Sequence, residues 1–332
     1  MKTPTTPDEL AVPTRSTAPP SKLLAWLRLM RLPNVFTALA DVTMGFLVAR
    51  QSLEPLGALV ALAASSALLY TAGMVLNDVF DIDIDARERP HRPLPSGRIP
   101  LLLARALGFA MLALGVLFGW LSGLAFADAA AAPWRSGVMA TILASLVILY
   151  DACLKRTPFG PVGMGACRSC NVLLGMSLAP ADSFSPDWLL GYAPAQWLIA
   201  GGIGVYIAGV TWFARDEATS SRGAQLLGAM AVMTTGVALL ALGVSYLPAL
   251  QLQPSTIWIL FALLMLTVLR RAFAAVTDPS PQRVQAAVKH SILSLIWLDA
   301  ALIAAVAPLG FALAVAALLI PALLLGRWVY ST

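Results

Sequence analysis

Apolar runs long enough to cross a bilayer alternate with short polar breaks along almost the whole chain. A span takes roughly 20 apolar residues, and such runs lie near 33–51, 56–78, 101–124, 134–154, 161–180, 192–213, 224–247 and 255–276. The last apolar stretch, Ser291 to Leu325, exceeds one span and carries Pro308 and Gly310 at its middle, which predicts two further helices there. The expected fold is therefore an all-α membrane protein, a polytopic bundle of nine or ten transmembrane helices around a cytoplasm-facing polar cavity. Ahead of the first span, Lys22 to Leu32 sets Lys and Arg among Leu, Trp and Met at helical spacing, as an amphipathic lead-in along the membrane surface does. Residues 1–21 are rich in Pro and Thr and have no apolar core, so they are expected to form a disordered cytoplasmic tail before one transmembrane domain, 22–332.

Composition agrees. The 332 residues are 59% hydrophobic and 12% charged, with a mean hydropathy of +0.79, which excludes a soluble globular domain. The net charge of +5 records orientation rather than nucleic-acid binding, because no basic stretch is interleaved with stacking aromatics. Arg87, Arg89, Arg92 and Arg98 follow the second span, Lys155 and Arg156 the fourth, Arg215 and Arg222 the sixth, and Arg270, Arg271, Arg283 and Lys289 the eighth. The other loops hold only Arg50 and Arg135, beside Glu54, Asp128, Asp182 and Asp187. The positive-inside rule then puts the amino terminus on the cytoplasmic side of a plasma membrane, of the bacterial inner-membrane kind, and Arg327 favours the same side for the carboxyl terminus. Cys167 and Cys170 in CRSC lack a second cysteine pair, and His91 and His290 are the only histidines, so packing cysteines are expected.

The chemistry concentrates in Asn77 to Arg98, NDVFDIDIDARERPHRPLPSGR. Asn77, Asp78, Asp81 and Asp85 share a face if the second helix continues through them. Neighbouring carboxylates repel unless a cation lies between them, and hard oxygen ligands of this kind suit Mg²⁺, which keeps waters and substrate phosphates. Arginines fit phosphate oxygens through their planar fork. Metal ligands beside phosphate ligands point to a diphosphate substrate. Further polar residues at membrane depth or its edge are Asn34, Asp41, Tyr150, Asp151, Arg168, Asn171, Arg215, Asp216, Glu217 and Asp299.

On these residues the sequence resembles the UbiA-type superfamily of intramembrane prenyltransferases. Asn77, Asp78, Asp81 and Asp85 match its first NDxxDxxxD array, and RERPHRPLPSGR its following basic segment. Tyr150 and Lys155 of YDACLKR, GMGACRSCNVLLG in the fifth span and FARDEATSSRG after the sixth extend the similarity. RLPNVFTALAD, GACRSCNVLLGMS and VKHSILSLIWLDA further resemble the EboC-like branch. The second family array departs from the pattern: Asp216 and Glu217 stand at its head, but Thr219 and Gly223 occupy the later aspartate positions.

The resemblance implies Mg²⁺-dependent transfer of a prenyl group from an allylic prenyl diphosphate to an aromatic or other lipophilic acceptor in the membrane. Asp78, Asp81, Asp85, Asp216 and Glu217 are the implied metal ligands. Asn34, Asn77, Arg89, Arg92, Lys155, Arg168, Asn171 and Arg215 are the implied substrate ligands, and Asp78, Asp81, Tyr150 and Lys155 carry the catalytic assignment. Phe80 or Tyr150 would stabilise the allylic cation by its π-face. The eroded second array keeps open a degenerate member that binds isoprenoid or serves as a partner subunit. A transporter is less compatible, since both acidic clusters fall at one membrane face rather than at the midplane. A membrane phosphotransferase lacks its Asp-Gly and Ala-Arg signature.

Overall fold

The structure, a computed structural model, describes residues 22–180, 188–215 and 223–329. The expected tail, 1–21, lies outside the described residues, as do Asp216 and Glu217. The described chain forms thirteen α-helices: α1 Lys22–Leu29, α2 Val35–Arg50, α3 Leu56–Phe80, α4 Ile82–Glu88, α5 Leu101–Leu124, α6 Trp134–Ala152, α7 Gly160–Met176, α8 Pro194–Phe213, α9 Gly223–Ser245, α10 Pro254–Thr277, α11 Pro281–Val306, α12 Leu309–Ala316 and α13 Leu319–Val329. Proline at the first turn starts α8, α10 and α11, where its missing N–H costs no helical bond.

Among the described residues nine helical stretches are long and apolar enough to cross a membrane, with α12 and α13 counted as one. The 17-residue α7 is shorter and packs between α2, α6 and α8. The periphery is apolar: α5 turns Leu102, Leu103, Phe109 and Leu117 outward, and α10 turns out Ile259, Leu263 and Leu266. Without water to drive them inward, such side chains suit lipid. The chain is an integral multi-pass membrane protein.

Two sequence expectations shift. The final apolar stretch breaks at Ala307–Pro308 as expected, but its first helix starts at Pro281, not Ser291. Only residues 278–280 separate α10 from α11, so Arg270, Arg271, Arg283 and Lys289 ride on helices instead of filling a loop. Arg50 and Arg135, the basic residues at the opposite end, prove to be tethers. Arg50 donates to the carbonyls of Glu54, Ala129 and Leu178 at 2.6, 2.6 and 2.8 Å. Arg135, fully buried, donates to the carbonyls of Ser177 and Gly191 at 2.9 and 3.0 Å and lies 4.4 Å over the Tyr192 ring. It thereby satisfies carbonyls left open past the end of α7.

Helix contact depends on small residues, as lipid-embedded packing requires. Where α2 crosses α7, a Cβ on Gly45 would strike the Val172 carbonyl, and one on Gly175 the Val42 carbonyl. Gly45→Ala is expected to destabilise the bundle by about 1–3 kcal/mol through overpacking, read as a lowered unfolding midpoint in detergent; an unchanged midpoint would show that the helices part freely.

Candidate active site

The aspartate array does not continue as one helix. Helix α3 ends at Phe80, Asp81 takes φ −96° and ψ 7°, and α4 restarts at Ile82. The expected common face is therefore split. Arg92 lies 2.7 Å from Asp85 and 3.6 Å from Asp78, while Arg31 lies 3.3 Å from Asp78. Asp81 turns to Lys155 and Arg156, at 2.8 and 2.9 Å. Burial alone would raise the Asp81 carboxyl, but the hydrogen bonds and charges of Lys155 and Arg156 outweigh it and hold it below the usual carboxylate range. Lys155 also donates to the side-chain oxygen of Asn77 at 3.1 Å, fastening the short helix Leu154–Arg156 to the end of α3.

Among the described residues no three His, Cys, Asp or Glu side chains cluster as metal ligands. Asp78 and Asp85 nevertheless reach one cation, the Arg92 guanidinium, and both are nearly buried, at 8% and 6% side-chain exposure. A pair of hard carboxylates already converging on one positive charge is a donor set that fits Mg²⁺.

Two cavities meet at this end of the bundle. The first, about 150 Å³, lies between α3, α6 and α7 and is bounded by Leu69, Tyr70, Met74, Asn77, Leu143, Val147, Tyr150, Asp151, Met164, Cys167, Arg168, Asn171 and Arg31. The second, about 940 Å³, is walled by α1, the turn Leu32–Asn34, the segment after α4, α11 and α13. Among the described residues seven cations line it: Arg28, Arg31, Arg89, Arg92, Arg98, Lys289 and Arg327, with Asp78 and Asn34. Arg31 borders both cavities and is held in the left-handed region, φ 45° and ψ 45°, a backbone state that costs a non-glycine residue free energy and gathers at functional sites.

The structure thus brings together Asn34, Asn77, Asp78, Asp85, Arg89, Arg92, Tyr150 and Lys155 around one end of α3. Arg215 stands apart, donating to the Thr157 carbonyl at 3.3 Å. Phe80, offered for its π-face, is exposed and borders neither cavity; Tyr70 lines the smaller one instead. Arg168 and Asn171 do reach that cavity, yet both also serve the helices around it. Arg168 donates to Asp41 at 2.6 Å and to Thr37 at 2.8 Å and lies 5.1 Å over Tyr70. Asn171 donates to the Ala38 carbonyl at 2.9 Å and accepts from Ser66 at 2.7 Å. The sequence reading missed Arg28, Arg31, Lys289 and Arg327 as site residues, since they come from separate segments that only packing assembles. The lone signal was Arg28 and Arg31 in the lead-in.

Helices of membrane length that gather carboxylates and guanidiniums around paired cavities at one end define a multi-pass membrane protein with a charged site at the edge of an apolar bundle. Residues 38–293 match the UbiA prenyltransferase family, and the chain belongs to that family. It is 32% identical over 169 residues to the digeranylgeranylglyceryl phosphate synthase of Saccharolobus solfataricus, covering 51% of this chain and 55% of that one. The synthase of Ignicoccus hospitalis is 34% identical over 163 residues, 48% of this chain and 49% of the other. The chain spans about half the length of these curated relatives. Among solved structures, one of a digeranylgeranylglyceryl phosphate synthase superposes with a TM-score of 0.59 at 20% identity, over 85% of this chain and 97% of that one. A UbiA homologue from Archaeoglobus fulgidus bound to GPP and Mg²⁺ does so with 0.55 at 16% identity, over 88% and 99%. These likenesses show a shared fold.

Proposed function

We propose that the chain is an Mg²⁺-dependent prenyltransferase that moves a prenyl group from an allylic prenyl diphosphate to a lipid acceptor bearing its own phosphate. The observation that carries the acceptor is the larger chamber. Among the described residues seven cations stand against one carboxylate, more than one diphosphate bound with a metal requires, and such a field beside an apolar bundle favours a second anionic head. An aromatic acceptor, the narrower expectation from sequence, leaves most of that charge without use. The names of the relatives point the same way, and the EboC-like placement rests on its quoted segments alone. The amino terminus and this end of the bundle are taken as cytoplasmic, from the basic residues gathered there.

Asp78 and Asp85, with Asp81 after it is released from Lys155 and Arg156, would hold Mg²⁺, and Asp216 and Glu217 are candidates for a second ion. When bound, the metal supplies charge neutralisation that eases departure of diphosphate. The chain's own residues do the rest. Arg92, Arg89 and Arg31 bind phosphate oxygens by bidentate geometry. Leu69, Met74, Leu143, Val147 and Met164 wall the smaller cavity, where they keep water from the allylic cation. Tyr70 and Tyr150 line it, and an aromatic π-face stabilises positive charge. Asn77 fixes Lys155, and with it the turn after α6.

Purified protein given Mg²⁺, labelled geranylgeranyl diphosphate and geranylgeranylglyceryl phosphate is expected to form a doubly prenylated lipid and release diphosphate, with both stopped by EDTA. A hydroxybenzoate in place of the lipid is expected to be a poor acceptor. The eroded second array supports one other reading, a degenerate isoprenoid-binding member; metal-dependent binding with no turnover on either acceptor would favour it.

A further inference from the structure

Every carboxylate of the aspartate array is held by a cation, and Asp41 is held by Arg168. Among the described residues Asp151 and Asp299 are buried carboxylates outside any such ion pair, and of the two only Asp151 borders a cavity. It is 3% exposed, and among the described residues it is the only carboxylate lining the smaller cavity and its Oδ2 has no hydrogen-bond partner. Lys155, four residues on, is committed to Asn77 and Asp81. A buried carboxylate oxygen left without a donor is costly, so its place beside Tyr150, Asn77 and Arg31 calls for a ligand that brings a proton donor.

The proposed reaction requires one. We propose that Asp151 is the catalytic base that accepts the acceptor's hydroxyl proton, which makes the acceptor a lipid alcohol; the inference rests on the transferase reading above. The acceptor oxygen forms a bond to C1 of the prenyl group. The C1–O bond to diphosphate breaks, and its electron pair leaves with diphosphate. The hydroxyl proton passes to Asp151 Oδ2 and from there to the released diphosphate or to water as products leave. The array carboxylates are poor bases for this step, being engaged by arginine, lysine or metal, whereas Asp151 borders the apolar cavity in which the cation is sheltered. The anionic head of the same lipid lies toward the basic chamber, which adjoins the cavity at Arg31.

The full chain is tested with geranylgeranylglyceryl phosphate as the alcohol and its O-methyl ether as the control. Asp151→Asn is expected to bind geranylgeranyl diphosphate with Mg²⁺ within about threefold of wild type, which also shows that it folds, while transfer to the alcohol falls roughly 10²–10⁴-fold, the span of general-base catalysis. In equilibrium binding, wild type is expected to prefer the alcohol over its ether by roughly tenfold or more, because a site built for a hydroxyl rejects the analogue lacking it. Asp151→Leu, which needs no partner, loses that preference. Transfer by Asp151→Asn within tenfold of wild type overturns the inference, and so does equal wild-type affinity for alcohol and ether. Wild type that transfers nothing sinks the transferase reading instead, and the binding preference still decides the role of Asp151.

Discussion

Asp78→Asn is expected to lower Mg²⁺-dependent prenyl transfer by roughly 10²–10³-fold, the scale on which removing one preorganised electrostatic group slows an enzyme. The substitution keeps shape and hydrogen-bonding capacity but removes the charge. Asp78 borders the basic chamber and lies within reach of both Arg31 and Arg92, so its charge orients two guanidiniums as well as any cation beside Asp85. With the charge gone, Arg92 keeps only Asp85 at 2.7 Å, and one carboxylate fewer converges on the metal. Single-turnover transfer measured across a Mg²⁺ titration checks this: the variant should need far more metal and remain slow at saturation. Turnover within tenfold of wild type, with an unaltered metal requirement, would remove the array from the mechanism.

The second large effect is on stability. Arg168→Ala is expected to cost about 3–5 kcal/mol, the penalty for leaving one member of a buried pair without its partner. Asp41 has no exposed surface, and its bond to Arg168 is 2.6 Å long; Thr37 and the Tyr70 ring complete the cage around the guanidinium. The fully buried Asp299 adds a further carboxylate on α11. Unfolding in a denaturing detergent measures the loss. Asp41→Leu combined with Arg168→Met should recover most of it, since an apolar replacement of a buried pair is often neutral. If Arg168 were instead chiefly a substrate ligand, Arg168→Ala would raise KM and leave the unfolding midpoint in place.

Arg168 illustrates how far the chain could be read without its fold. Its depth in an apolar segment marked it as functional or paired, and nothing in the local sequence names Asp41, 127 positions away, as the partner. The Asn77–Arg98 segment was legible because its charge pattern is local, yet the break at Asp81 was not, since its neighbours read as a continuing helix. That break divides the array between two sets of cations. Arg50 and Arg135, exceptions to a charge rule, became intelligible only as donors to loop carbonyls.

What the sequence by itself determined was the membrane bundle and the end of it where carboxylates and guanidiniums gather, because hydropathy and the spacing of like charges are properties of short stretches that any membrane setting must satisfy. The tertiary structure alone decided which cations share a chamber, which carboxylate is left facing the smaller cavity, and which buried charges merely hold helices together. These depend on residues far apart in the chain meeting where water is excluded, and an ion pair or an orphaned oxygen has energetic meaning only once that exclusion is in place.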